Sequence, residues 1–277
     1  MTSVPAYDLS AIAVTGARIL DVPVPAGARN QPISEVLATL PSAERLVLVV
    51  IDAFGTALWK YVEDTVPHLN RLAAVHRLEL SSVLPSLTYV CMTTIFSGIS
   101  PDRHGVVDRQ GLVAASNRTE TLFATVRRTG RKTLMAVHLK GVQGVPVERL
   151  ADTVVVVDDI YDDEIHERVP GLITEHLPAF AFLHLTDIDE IAHVHGPYTE
   201  AVRQAAGRMD ERLERLFGCL ARQGYAVLVM ADHGMHEVPD GGVDADGHRG
   251  THDGSVAEDR IVPLVWASAG ELRSLFL

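Results

Sequence analysis

Acids and histidines gather in this sequence where apolar runs stop. Asp52 closes Leu46-Val47-Leu48-Val49-Val50-Ile51. Asp187, Asp189, His193 and His195 follow Phe182-Leu183-His184-Leu185, and Asp232 and His233 follow Val227-Leu228-Val229-Met230-Ala231. His252 stands in the loop Gly250-Thr251-His252-Asp253-Gly254, and seven of the thirteen histidines lie between His184 and His252. Carboxylate oxygens and imidazole nitrogens are the donors that divalent first-row metals take from proteins. Asp189 and His193 are four positions apart, so on a helix they share one face and can grip one ion. Asp232 and His233 are adjacent, and they converge where a strand opens into a glycine loop. Thr88 adds a hydroxyl of a different kind, just after Pro85, where a strand end breaks and a helix begins. Unpaired N–H groups and the positive end of the helix dipole suit an anion such as phosphate there. The competing reading of Thr88 is a plain helix cap.

The elements that must position these residues follow from periodicity. Short β-branched runs read as strands buried on both faces: Arg45 to Ile51, Arg77 to Leu84, Lys132 to His138, Ala151 to Val157, Ala179 to Leu185, Ala226 to Met230 and Ile261 to Trp266. Helical patterns lie between them, at Ala57 to Ala74 with Pro67 opening a second piece, Thr119 to Thr129, Asp162 to His176 and Thr199 to Gln223. A loop is expected after His104-Gly105. This alternation predicts one α/β domain, a largely parallel sheet with helices on both faces, over residues 41–277. Residues 1–40, with Pro5, Pro23, Pro25 and Pro32, read as an irregular arm laid over it. In a parallel sheet the strand ends share one rim, where ligands collect.

Composition narrows the function. A net charge of −12 and a pI near 5.5 argue against a nucleic-acid duplex or an anionic membrane as partner. Carboxylates gathered for a cation leave the same acidic excess. Cys91 and Cys219 show no pairing pattern and read as free thiols of a reducing compartment. With neither a signal-peptide pattern nor a long apolar span, the expectation is a soluble cytoplasmic protein.

The ordered motifs resemble the alkaline phosphatase superfamily, most closely the type I phosphodiesterase and nucleotide pyrophosphatase family. They are Asp52 at a strand end, Pro67-His68-Leu69-Asn70-Arg71-Leu72-Ala73, Pro85-Ser86-Leu87-Thr88-Tyr89, Ser97-Gly98 with Pro101-Asp102-Arg103-His104-Gly105, Asp189 to His193, Asp232-His233-Gly234 and Gly250-Thr251-His252. The resemblance covers roughly residues 45–268. It implies an alkaline phosphatase-like core holding two divalent ions, zinc first, with manganese or another divalent ion as alternatives. Asp189, His193 and His252 would hold one ion. Asp52, Asp232 and His233 would hold the other, next to Thr88 as ligand and nucleophile. The implied reaction is hydrolysis of a phosphodiester, pyrophosphate or phosphomonoester through a threonine intermediate, with a small phosphoester or nucleotide as substrate. The alternatives are a phosphoryl- or phosphoalcohol-transferase of the same superfamily and a catalytically silent metal-binding regulatory module.

The chain departs from the family pattern in three places. Arg109 stands 21 positions after Thr88, where the family has a phosphate-contacting asparagine, and an arginine there can clamp a phosphate bidentately. Tyr89-Val90-Cys91 replaces a segment with an asparagine, and Ala192 replaces the glycine before His193. His248 competes with His252, and Asp187 with Asp189. The family context favours His252, and the four-residue spacing favours Asp189. His184 reads as a buried, hydrogen-bonded histidine, His104 as a loop-fixing residue, and His195 and His236 as partners of ligands or exposed loop residues. Nothing in the sequence specifies a base, sugar or lipid pocket, or the oligomeric state.

Overall fold

The computed structural model describes residues 5–116, 118–142, 145, 147–158 and 161–277. Among the described residues nine strands form in chain order: β1 Leu46–Ile51, β2 Arg77–Ser81, β3 Thr133–His138, β4 Thr153–Val157, β5 Phe180–Leu185, β6 Ala226–Met230, β7 His236–Glu237, β8 Gly250–Thr251 and β9 Ile261–Ala267. Seven make one sheet in the order β2-β9-β6-β1-β5-β3-β4, and β7 pairs with β8 in a separate ribbon. Neighbouring strands are parallel from β6 through β4, while β9 runs antiparallel to both β6 and β2.

The central strand β1 is buried along its whole length, as are β3, β5 and β6. Continuous aliphatic runs suit strands covered on both faces. One cover is built from Thr56–Val62, Pro67–Ala73, Asp163–His176, Asp187–His195, Glu200–Gln223 and Ala269–Phe276. The other includes Ala11–Ile19, Thr88–Ser97 and Leu122–Arg128, with Arg109–Ser116 against the Thr88–Ser97 helix. The whole is one α/β domain with its core on both sides of the sheet.

Two segments differ from the expectation. In place of an irregular arm over residues 1–40, Ala11–Ile19 is a helix buried along all but Arg18, and Ser34–Thr39 forms a second short helix. At nine residues the helix is short, Arg18 alone of it is not buried, and the prolines flank it without interrupting it. In place of a loop after Gly105, Arg109–Ser116 is helical, and the Asp108 carboxylate accepts the Gly111 N–H at 2.7 Å as a cap.

Parallel register sets the rim. Val50 lies opposite both His184 and Met230, so β1, β5 and β6 end side by side. Asp52 continues that register, its N–H donating to the Leu185 carbonyl at 2.8 Å. The antiparallel β9 begins at the same edge, because Ile261 pairs with Ser81 at the end of β2.

Candidate active site

Thr88 is carried to this rim from the edge of the sheet. The Ser82 N–H donates to the Arg260 carbonyl at 2.7 Å, and the Ser82 hydroxyl donates to the Asp232 carbonyl at 2.6 Å. The Ser82–Leu87 segment is thereby pinned across β9 to β6. Thr88 opens a ten-residue helix, preceded by extended Leu87 and closed by Gly98 in the left-handed conformation. The cap position is held by Leu87, whose side chain makes no cap bond. Thr88 Oγ1 lies 3.4 Å from Asp52 Oδ2 and 3.2 Å from His233 Nε2.

Around that hydroxyl the expected residues come together. Asp52 Oδ1 and Asp232 Oδ2 lie 3.2 and 3.4 Å from His233 Nε2. On the other side, Asp189 Oδ1 is 3.4 Å from His193 Nε2 and 3.5 Å from His252 Nε2, and the two imidazole nitrogens are 3.2 Å apart. Asp187–His195 is a helix, so Asp189 and His193 do share a face. Asp189, His193 and His252 form one set with ligand atoms close enough to hold an ion, and Asp52 belongs to a second set with Asp189 and His233 and a third with His184 and Asp232.

The hydrogen bonds orient the imidazoles. His193 Nδ1 donates to the Gly250 carbonyl at 2.8 Å, His252 Nδ1 to the Ser86 carbonyl at 2.7 Å and His233 Nδ1 to the Gly234 carbonyl at 3.0 Å. Each ring then turns its Nε2 lone pair inward, as metal-ligating histidines do. Asp52 Oδ1, Asp189 Oδ1 and Asp232 Oδ2 are buried without a hydrogen-bond partner. Buried carboxylate oxygens are costly unless paired or coordinating. Inward lone pairs and orphaned oxygens together fit divalent cations.

The electrostatics have the same character. Burial pushes Asp232 well above the usual carboxylate range, and repulsion from Asp52 adds to it. Burial acts on Asp52 too, but His233 and His184 outweigh it and hold that carboxyl low. Burial opposes charging of His193, yet the neighbouring Asp189 carboxylate raises it to about 9. His252, buried and facing His233, is lowered to about 4. Two acids forced apart in this way relax when a cation lies between them.

The competing residues are placed elsewhere. Asp187 turns away, accepting the Asp162 N–H at 2.8 Å with Arg212 3.3 Å from its other oxygen. His248 lies tilted against His193, with ring centroids 4.5 Å apart and planes at 41°, and is among the residues lining the cleft. His195 is exposed. His104 fixes its loop as expected, accepting the Val106 N–H at 3.0 Å. The Arg109 side chain lies outside the described residues.

Sequence reasoning undervalued three positions. His184 is buried as expected, but its Nε2 is 3.0 Å from Asp52 Oδ2 and belongs to the cluster. Its register opposite Val50, two residues before Asp52, was the available signal. His138, at the end of β3, lines the cleft and sits 2.8 Å from buried Asp162. Asp259 is fully buried beneath both loops: its carboxylate accepts the Gly254 and Asp253 N–H groups at 3.0 and 3.2 Å and contacts His236 Nδ1 at 2.8 Å. Its carbonyl accepts the Gly234 N–H at 2.9 Å. A Cβ at Gly234 would lie 1.9 Å from the Glu258 carbonyl, so only glycine fits that approach.

An α/β sheet with mixed carboxylate and imidazole donors around a threonine defines a metallo-phosphoesterase-like architecture. The chain belongs to the type I phosphodiesterase / nucleotide pyrophosphatase family, whose model matches residues 46–248. Venom phosphodiesterase 2 of Crotalus adamanteus is 23% identical over 220 residues, covering 70% of this chain and 27% of the venom protein. The chain therefore spans about a quarter of that relative's length. Murine ectonucleotide pyrophosphatase/phosphodiesterase 5 shares the fold at a TM-score of 0.64 and 13% identity, covering 84% of this chain and 94% of that one. Phosphonoacetate hydrolase from Sinorhizobium meliloti, in complex with phosphonoacetate, aligns at a TM-score of 0.57 and 19% identity over 74% of this chain and 60% of that one.

Proposed function

We propose that the chain is a two-metal phosphodiesterase with Thr88 as nucleophile. The observation that carries this reading is the position of Thr88 Oγ1, 3.4 Å from Asp52 and 3.2 Å from His233, beside the inward nitrogens of His193 and His252. Asp189, His193 and His252 hold one ion, and Asp52, Thr88, Asp232 and His233 hold the other. Mixed nitrogen and oxygen donors favour zinc. Bound divalent ions supply Lewis acidity that favours the threonine alkoxide and neutralises charge at phosphorus.

The side chains do the rest. Asp52 and His233 fix the Thr88 hydroxyl at the start of the helix, so that it meets phosphorus with little loss of freedom. The N-terminal turn presents its positive end to the phosphoryl oxygens. Thr88 Oγ gives up its proton and forms a bond to phosphorus, the bond to the ester oxygen breaks, and the departing oxygen takes up a proton. Water then attacks the phosphorus of the threonine phosphoester, the bond between phosphorus and Thr88 Oγ breaks, and the proton given up by water restores the threonine hydroxyl as the phosphate monoester leaves. Arg109 is the proposed further contact to the phosphate.

Hydrolysis of bis-p-nitrophenyl phosphate and p-nitrophenyl phosphate, with and without chelator, tests the reading. Expected are about two ions per chain by elemental analysis and diester cleavage that chelator abolishes and zinc restores. Chelator-resistant turnover, or bound metal without turnover of either ester, contradicts it; the latter outcome selects a silent metal-binding module.

A further inference from the structure

Behind the nucleophile lies a second compartment. A cavity of about 80 Å³ opens beside Thr88 and Tyr89 and runs under the Thr88–Ser97 helix toward β3 and β5. Its wall is hydrocarbon and aromatic, with Met92, Phe96, Leu112, Met135, Val137 and Phe182 among the lining side chains. Thr88, Tyr89, Gly141 and His184 border both this cavity and the cleft that holds Asp189, His193 and His252. The space is several times what one water needs, and cavities without polar partners stay dry or take up hydrocarbon.

Polar groups are few in the wall: Thr88 Oγ1 and His184 Nε2, on the side shared with the cleft, face Asp52 Oδ2 at 3.4 and 3.0 Å, and others are turned to the backbone. Thr93 Oγ1 donates to the Tyr89 carbonyl at 2.8 Å, Ser116 Oγ to the Val113 carbonyl at 2.8 Å, and Thr121 Oγ1 accepts the Ala124 N–H at 3.4 Å. A nucleobase edge buried here would leave its donors and acceptors unmatched, weakening binding by roughly 5- to 150-fold for each group. An alkyl chain or an unsubstituted ring meets no such penalty. Two apolar side chains next to bordering residues are exposed: Val107, whose carbonyl accepts the Tyr89 hydroxyl at 3.3 Å, is 63% exposed, and Leu139, two positions before Gly141, is 40% exposed.

We infer that this cavity is a substrate subsite for an apolar substituent, so that the preferred ester carries a short alkyl chain or a single unsubstituted ring on phosphate, in preference to a nucleoside. The inference rests on the phosphodiesterase reading above, because only the reacting phosphate at Thr88 places a substituent at the cavity mouth. Enclosing each further methylene favours binding by up to about fourfold.

The test compares kcat/KM for methyl, butyl and octyl p-nitrophenyl phosphate with that for thymidine 5′-(p-nitrophenyl phosphate), using the zinc-loaded full chain. The butyl ester should exceed the methyl ester by about tenfold or more, and the thymidine ester should fall at or below the methyl ester. Leu112→Trp, which fills the cavity, should draw the butyl-to-methyl ratio toward one, while Met92→Ala, which enlarges it, should move the optimum toward octyl. Equal rates for methyl and butyl esters, with the thymidine ester favoured, overturn the inference and leave the phosphodiesterase reading standing. No cleavage of any ester overturns both. Ratios untouched by both substitutions also overturn it, since the chain-length effect would then arise elsewhere.

Discussion

Asp259 shows how one side chain outside the reacting cluster can govern it. Its carboxylate gathers the Asp253 and Gly254 N–H groups next to His252, and its carbonyl holds Gly234 next to His233. Asp259→Asn replaces an acceptor with a donor facing N–H groups. It is expected to destabilise the fold by roughly 1–3 kcal/mol and to weaken metal binding by about 10–100-fold. Thermal melts and zinc titration check this, and unchanged zinc affinity would mean that the loops are held by other contacts. The candidate site residues were legible in the sequence because residue type and strand-end position are both local, while their division into two ligand sets around Thr88 followed from the family resemblance. Asp52, Thr88, Asp189, His193, Asp232, His233 and His252 all reach one rim. Asp259 was not legible: its partners are donors on the backbone of other segments, which carry no signature of their own. His184 was undervalued for a related reason, since its meaning depends on its register against β1.

Elements were readable where burial and periodicity are strong. Asp163–His176 and Glu200–Gln223 fall where the pattern puts them, and six of the seven sheet strands share one direction. The antiparallel β9 was not foreseen as such, because direction depends on the connection more than on the residues of the strand. The Ala11–Ile19 helix was missed because it is short and prolines flank it. Within Asp163–His176, His166 has a buried, unpartnered Nε2. Burial lowers its pKa from 6.5 to about 4 against the pull of Asp162, with Arg212 and Arg215 assisting. Between those values the unfolded chain binds a proton that the folded chain releases. The stability it contributes is therefore complete above pH 6.5 and declines as pH falls toward 4. His166→Gln should flatten this acid limb by about 1–3 kcal/mol, as read from chemical denaturation across the range. An unaltered limb would assign the slope to other groups.

At the scale of the whole molecule, the parallel sheet puts its strand ends, the Thr88 helix and the glycine loops on one edge. Part of the formal −12 charge is then a set of carboxylates gathered where they could hold cations. Among the described residues no helix is long and apolar enough to cross a membrane. The same edge holds two unlike compartments, a charged cleft and an apolar cavity, with Thr88 at their boundary. The cavity has no counterpart in sequence patterning, since Met92 and Phe96 meet Phe182 only when the Thr88–Ser97 helix packs over the sheet. The central claim is that chemistry passes through the Thr88 oxygen. Acid-quenched reaction of the zinc-loaded chain with bis-p-nitrophenyl phosphate, followed by peptide mass mapping, tests it most directly. The account predicts a p-nitrophenyl phosphoryl adduct on the Thr88 peptide, and a Thr88→Ala chain that keeps its metal, shows no adduct and loses turnover by about a thousandfold or more. A Thr88→Ala chain turning over at a near-normal rate would contradict it.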